Sequence, residues 1–395
     1  MTEVNGGRLL VVDDNEMNRD MLSRRLQRRG YSVEMADGGA AALQAVADDT
    51  YDLILLDIMM PDIDGMEVLS RLRETYTQTD LPIIMATAKD DSSDIVEALK
   101  LGANDYVTKP LDFPVVQARV ANALAHKRAA EALKAANEKM QQDLEAAARV
   151  QQALLPDEAP VMEGIEFTWF YHPCDQLGGD ALNIFKLDDQ HAAMYVLDVS
   201  GHGVPSALLS VAVGHQLSQL FAQHGSYSGT SNEAKNGDLF NPAQLAKKLN
   251  ALFPMDRKAR LYFTLVYGVL NTQTREFCFV SAGSPGPAII HADGSTEVHD
   301  IPAVPIGMFP ESEYENTIIK LQAGDRLYLH SDGLHEERHA ESRELFERKR
   351  MIEVLAGKRT DSLKQSVTSL VDAVVEWRGD AHLSDDATIV ACSIV

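Results

Sequence analysis

Residues 177–185 read LGGDALNIF, and the role of Asp180 in that stretch decides how the second half of the chain folds. The runs ALNIFKLD (181–188) and HAAMYVLD (191–198) flank a turn near Asp189, which is the pattern of a β-hairpin. Asp180 opens the first run and Asp198 closes the second. They are nearly symmetric about the turn, so antiparallel pairing sets the two carboxylates side by side. Adjacent carboxylates resist joint ionisation, and a bridging cation removes that cost.

The arrangement recurs downstream. DRLYLHSDG ends an apolar run at Asp332, and SDDATIV begins the final run at Asp385 and Asp386. If those strands are also neighbours, four carboxylates meet at one sheet end. Glycines adjoin three of them (GGD180, D198VSGHG, D332G), as expected where backbone must approach something closely. Such a site suits two hard cations bridged by water. Together they lower the pKa of that water and clamp a phosphoryl group for in-line attack.

Further candidate strands between 157 and 395 are EFTWFYH, LYFTLVYGVL, EFCFVSAG, AIIHA and DATIVACSIV, with helical patterns at 205–221, 242–252 and 361–377. Runs of strands with segregated helices predict an α+β domain built on a largely antiparallel sheet. GSYSGTSNEAKNGD (225–238) reads as an exposed loop.

The first third is organised differently. LLVVDD, YSVEMA, YDLILLD, LPIIMATA and NDYVTK alternate with amphipathic stretches over residues 8–120, which predicts a (βα)5 doubly wound parallel sheet. Ligand sites in such sheets lie beyond the strand C-termini. Asp13 and Asp14, Asp57, Thr87 and Lys109 all fall at those ends. A divalent ion held by carboxylates lets an anionic nucleophile meet a phosphoryl group, and the innermost aspartate, Asp57, is the candidate nucleophile. A lysine then balances the transferred group, and a hydroxyl hydrogen-bonds to it.

Between these regions, Pro114 to Pro156 is helical in pattern. Leu133, Asn137, Met140, Leu144, Ala147, Gln151 and Leu154 alternate four and three residues apart, which is an a/d seam predicting a dimeric coiled coil. The expected division is 1–124, a helical linker at 125–156, and 157–395. At 395 residues, with 45% hydrophobic and 24% charged residues, the chain can bury more than one core. Three scattered cysteines match neither a metal nor a disulfide framework, and the N-terminus lacks the features of a signal peptide. No apolar run is long enough to span a bilayer, so a cytoplasmic location without membrane partners is expected. The formal net charge of −23 repels phosphate backbones, so no DNA-binding role is expected.

Residues 8–124, with MMPDIDGMEVL and VTKPL, closely resemble the receiver domain of bacterial response regulators. The resemblance implies a histidine kinase partner, phosphorylation of Asp57, and Mg²⁺ held by Asp14, Asp57 and the Met59 carbonyl, with Asp13 acting through water. It gives Thr87, Tyr106 and Lys109 the switch positions. ARVQQALLP, LGGD, DVSGHGVPSALLS, FTLVYGVL…AGSPGP, VPIGMF, SDGLHEERH and SDDATIVAC look like the PPM-type serine/threonine phosphatases of the SpoIIE/RsbU group. That likeness implies an α/β/β/α sandwich, and Mn²⁺ or Mg²⁺ ligation by Asp180, Asp198, the Val199 carbonyl, Asp332 and Asp385. It also implies a phosphorylated STAS-domain anti-sigma factor antagonist as substrate.

Two positions depart from that pattern: Asn183 replaces an acidic residue and Ser284 a histidine. A diguanylate cyclase reading of GGD fails, because Ala181 and Leu182 follow it and Asp198, Asp332 and Asp385 stay unexplained. The alternative is a non-enzymatic adaptor on a degenerate phosphatase fold, which would be expected to have lost several aspartates. His202 is expected to be a loop residue satisfied by backbone. Cys174 has no base partner, and the two tryptophans are expected in core or docking positions.

Overall fold

The computed structural model describes residues 6–88, 92–225, 237–255, 260–380 and 382–395. Two compact units meet within one helix, Met1–Gln141 and Gln142–Val395. The 225–238 loop expected from sequence lies mostly outside the described residues.

The first unit is a five-stranded parallel sheet of β1 (Arg8–Val12), β2 (Ser32–Ala36), β3 (Leu53–Asp57), β4 (Ile83–Ala88) and β5 (Asp105–Lys109), in the order β2-β1-β3-β4-β5. Its central strands β1, β3 and β4 carry near-continuous apolar runs because both faces are covered, while the edge strands β2 and β5 are more polar and more exposed. On one face α1 (Glu16–Gln27) and the start of α5 (Phe113–Gln152) supply Leu22, Leu26, Val116, Val120 and Leu124. On the other, α2 (Gly39–Asp48), α3 (Gly65–Arg73) and α4 (Ser92–Lys100) contribute Val46, Leu69, Leu72 and Ala98. Side chains cap the exposed helix starts: Asn15 accepts from Met17 N and Asn18 N, and Asp64 from Glu67 N. The strand order reverses between β1 and β3, which sets Asp13 beside Asp57.

The second unit stacks two antiparallel sheets. One has the order β13-β10-β9-β8-β7 and the other β12-β11-β14-β15-β6. The strands are β6 (Ile165–His172), β7 (Ala181–Lys186), β8 (His191–Val199), β9 (Phe263–Asn271), β10 (Glu276–Ala282), β11 (Ala288–Ile290), β12 (Thr296–Val298), β13 (Thr317–Lys320), β14 (Arg326–His330) and β15 (Ala387–Ile394). Leu182, Ile184, Met194, Val266, Leu327, Leu329 and Val390 fill the space between the sheets. Outside the first sheet lie α6 (Val204–Gly225), the short α7 (Gly237–Phe240) and α8 (Pro242–Leu252), represented in its core by Val213, Leu217 and Leu249. Outside the second lie α9 (Arg348–Gly357) and α10 (Leu363–Arg378), through Met351, Leu355, Leu370 and Val374. This is the α/β/β/α sandwich. The alternation of inward faces follows the period of two along each strand.

Two expectations need correction. The β14 and β15 strands are neighbours as expected, but the four carboxylates do not meet at the end of one sheet: β7–β8 and β14–β15 belong to different sheets. Strands β12 and β13 and helix α9 were not anticipated, because the strands have only three and four residues. The heptad seam is also shorter than its spacing suggests. Leu133 and Met140 are exposed, but Gln151 is buried against its own unit and the helix ends at Gln152.

Candidate functional site

The receiver-like unit brings its predicted residues together. Asp57 ends β3 and is buried, Asp13 follows β1 and is buried, and Asp14 is exposed at the rim. The three offer carboxylate oxygens within 4.8 Å of one another. Lys109 Nζ, from the end of β5, lies 2.5 Å from Asp57 Oδ2 and 3.1 Å from Asp13 Oδ2. Burial pushes the Asp57 carboxyl above its usual range, against the pull of Lys109. Thr87 is buried near the end of β4, and Tyr106 is half-buried under the Arg119 guanidinium, 5.2 Å above its ring. Met59 is exposed beside the acidic pocket.

The second unit builds its acidic cluster from both sheets. Ala181 pairs with Leu197, so Asp180 and Asp198 lie across from each other at the mouth of the β7–β8 pair. His330 pairs with Ile389, which carries Asp332 and the Asp385–Asp386 step to the same end of the β14–β15 pair. Asp180 is almost wholly buried and its Oδ2 has no hydrogen-bond partner. Its carboxyl is pushed well up, first by burial and then by Asp198 and Asp386. Asp198 is pushed up to about 7, first by burial and then by Asp332, Asp385 and Asp386. Asp332 is raised by burial and by Glu336. Among the described residues no lysine or arginine forms an ion pair with any of these aspartates.

The two adjacent aspartates have different duties, which the sequence reading did not separate. Asp386 Oδ1 accepts from Cys174 N at 2.8 Å, and Oδ2 accepts from Gly179 N at 2.5 Å and Asp180 N at 3.2 Å. It is spent on the GGD loop. Asp385 is exposed and keeps an oxygen outside its bond to Asp386 N. The glycines are needed for close approach to protein here. A Cβ on Gly333 would lie 2.0 Å from the Asp386 carbonyl, and one on Gly178 2.5 Å from the Tyr171 hydroxyl. A Cβ on Gly179 would meet the Val199 carbonyl less tightly, at 3.0 Å.

From the other side Gln151, at the end of α5, donates to Gly178 O at 2.5 Å and accepts from Gly178 N at 3.2 Å. Asn183 donates to Leu154 O at 3.3 Å and accepts from Ile184 N, so its amide serves the chain fold. Ser284 contributes its carbonyl to Ser281 Oγ. His202 is exposed, and among the described residues no hydrogen bond to backbone satisfies its ring as expected. Burial, with Asp332 and Asp386, pushes the Asp385 carboxyl up, while the Asp386 amide and His202 oppose the rise. Cys174 is buried and its thiol is pushed up to about 12 by burial and Asp386, so it is inert. Trp169 packs against the inter-sheet core, and Trp377 lies under Arg350.

The aspartates suit hard divalent cations: their donors are oxygens, they are buried in part, among the described residues no lysine or arginine pairs with them, and one carboxylate oxygen of Asp180 is orphaned. The ligand atoms of Cys174, Asp385 and Asp386 lie within 4.8 Å of one another. Residues 188–395 match the model for the stage II sporulation protein E (SpoIIE) family, and residues 9–121 match the response regulator receiver domain. The chain belongs to the SpoIIE family. Asp180 precedes the matched segment, and its place in the site rests on the β7–β8 register.

The receiver domain is 45% identical over 118 residues to the uncharacterized transcriptional regulatory protein YkoG of Bacillus subtilis (strain 168), covering 30% of this chain and 51% of that protein. It is 46% identical over 113 residues to the response regulator MprA of Mycobacterium leprae, covering 29% and 49%. This SpoIIE-family chain therefore spans about half the length of the curated relatives it matches. The SiaA-PP2C domain of Pseudomonas aeruginosa superposes with a TM-score of 0.55 at 21% identity, covering 65% of this chain and 98% of that domain. That likeness shows a PP2C-like fold for the second unit. No helix among the described residues is long and apolar enough to cross a membrane.

Proposed function

We propose that the chain is a response regulator in which phosphorylation of Asp57 by a histidine kinase controls a metal-dependent protein serine/threonine phosphatase. The observation that carries this reading is the second acidic cluster. Several aspartates are drawn together, among the described residues no lysine or arginine forms an ion pair with them, and their carboxyls are pushed up by burial and mutual repulsion. Such a cluster is costly unless cations occupy it.

On this reading residues 1–124 form the receiver, 125–156 a linker that pairs two copies, and 157–395 the phosphatase. Asp180, Asp198, the Val199 carbonyl, Asp332 and Asp385 hold two Mn²⁺ or Mg²⁺ ions. When bound, such ions supply a water of lowered pKa and neutralise the phosphoryl oxygens. The chain's own contribution is placement. Asp386 and Gln151 fix the GGD loop, and the buried walls under Asp180 keep bulk water from beneath the carboxylates. In the receiver, Asp14, Asp57 and the Met59 carbonyl hold Mg²⁺ with Asp13 acting through water. Lys109 stands where a phosphoryl group on Asp57 would need a counter-charge, and Thr87 and Tyr106 respond to it.

The substrate is proposed to be a phosphorylated STAS-domain anti-sigma factor antagonist in the cytoplasm, with neither DNA nor membrane as partner. The test is hydrolysis of p-nitrophenyl phosphate with Mn²⁺, wild type against Asp332→Ala, repeated with beryllofluoride on Asp57. Activity that requires both the metal and Asp332 supports the phosphatase. Absence of activity there and on a phosphorylated STAS protein would replace this reading with the adaptor.

A further inference from the structure

We propose that Glu337, which lies outside the acidic cluster, is a positioning residue that holds the Ser384–Asp385 step in place. The inference rests on the reading of the cluster as a metal site. Glu337 follows the 3-10 turn Asp332–Leu334, and its side chain is fully shielded from solvent. Its Oε2 accepts from Ser384 N at 2.8 Å. Its Oε1 accepts from Ser384 Oγ at 2.9 Å, Arg378 Nη1 at 2.8 Å and Arg338 N at 3.0 Å. The side chain is shielded from solvent and both of its oxygens are engaged by donors of the fold, so Glu337 acts through Ser384 rather than as a ligand.

The anchored segment needs such an anchor. Ser384 and Asp385 are exposed, while their neighbours Leu383 and Asp386 are buried. An exposed step carrying a ligand would otherwise sample many positions, and ordering it costs conformational entropy. Glu337 reaches it from 47 residues away, and Arg378 of α10 completes the ion pair. A buried ion pair adds little net stability, and its use is to specify one arrangement. From Ser384 the order passes directly to Asp385, whose Oδ1 accepts from Asp386 N at 2.8 Å, and to Asp386, which binds the GGD loop. One carboxylate thus ties α10 to the loop that presents Asp385.

The experiment titrates Mn²⁺ into full-length protein, reading free Mn²⁺ by electron paramagnetic resonance, with Tm recorded on the same samples. Glu337→Gln keeps the volume but turns an amide toward donors. It is expected to weaken Mn²⁺ binding about tenfold or more, as loss of an outer partner of a metal ligand does. Ser384→Ala keeps the backbone donor and is expected to weaken binding less, in the same direction. Because Ser384 is exposed, this variant decides the matter if Glu337→Gln does not fold. Unchanged Mn²⁺ affinity in folded Glu337→Gln, even with a lowered Tm, would overturn the proposal and leave Glu337 a purely structural residue. If the wild type binds no Mn²⁺ beyond the receiver's site, counted against an Asp57→Asn Asp14→Asn control, the metal reading itself fails and this inference with it.

Discussion

The two acidic pockets of this chain solve the same electrostatic problem in opposite ways. In the receiver, Lys109 supplies a cation 2.5 Å from Asp57 and 3.1 Å from Asp13. In the PP2C-like unit, five aspartates share one end of the sandwich, and among the described residues no lysine or arginine pairs with them. A pocket with its own counter-charge persists whatever the solution contains. A pocket without one depends on recruiting cations, so its occupancy becomes a variable that the rest of the molecule can tune.

The sharpest way to break the comparison is to remove a carboxylate from the second pocket. Asp332→Ala is expected to lower phosphatase turnover by about a thousandfold or more, since metal clamping supplies several kcal/mol to the transition state. Turnover of p-nitrophenyl phosphate by the purified variant checks this.

In the first pocket, Asp57→Asn is expected to leave basal turnover near the wild-type value. It should abolish the response to beryllofluoride, a coupling of about 5–150-fold if typical of allosteric proteins. A persisting response would show that the receiver does not act through Asp57.

Next in size is stability. Mn²⁺ at about a hundred times its dissociation constant is expected to stabilise the second unit by about 2.7 kcal/mol, read as a rise in Tm. The metal-free protein should also respond to pH with a definite sign. The Asp198 carboxyl is raised from 3.8 to about 7 in the folded state. Its contribution is therefore complete below pH about 4 and is lost as pH rises toward and through 7. Bound Mn²⁺ should flatten that decline, which thermal melts between pH 5 and 8 would reveal.

The smallest effect concerns Asn183. Asn183→Asp restores the acidic residue expected from the family pattern, yet it would set a carboxylate against the Leu154 carbonyl. A loss of about 1 kcal/mol in stability is expected, with no gain in Mn²⁺ affinity. Tighter metal binding by this variant would show that the position belongs to the metal site after all.

The sequence made the receiver legible in nearly all its parts, because five strand ends in a parallel sheet must share one edge and each carries its own chemistry. The β7–β8 hairpin was equally legible from its turn and symmetry. What escaped were features set by contacts distant in sequence. That the two strand pairs sit in different sheets depends on pairings across more than 150 residues, such as β15 with β6. Asp385 and Asp386 are identical letters, and only the three amides aimed at Asp386 separate them. Glu337 carries no local signal, since the side chains and the segment it ties together, Arg378 and Ser384, lie 41 and 47 residues away. The linker seam was over-read at Gln151, because a buried glutamine serving Gly178 has the same spacing as one serving a second helix.

The saturation of Asp386 implies an order in which such a protein can decay. On the proposed reading, loss of Asp385 removes a metal ligand and leaves the loop intact, so catalysis would disappear while the surface survives. Loss of Asp386 strands the amides of Cys174, Gly179 and Asp180 and disturbs the loop itself. A lineage converting this fold into a binding module is therefore free to discard the first aspartate long before the second. On that reading, of two neighbouring codons with the same meaning, one records whether the protein is an enzyme and the other whether it is folded.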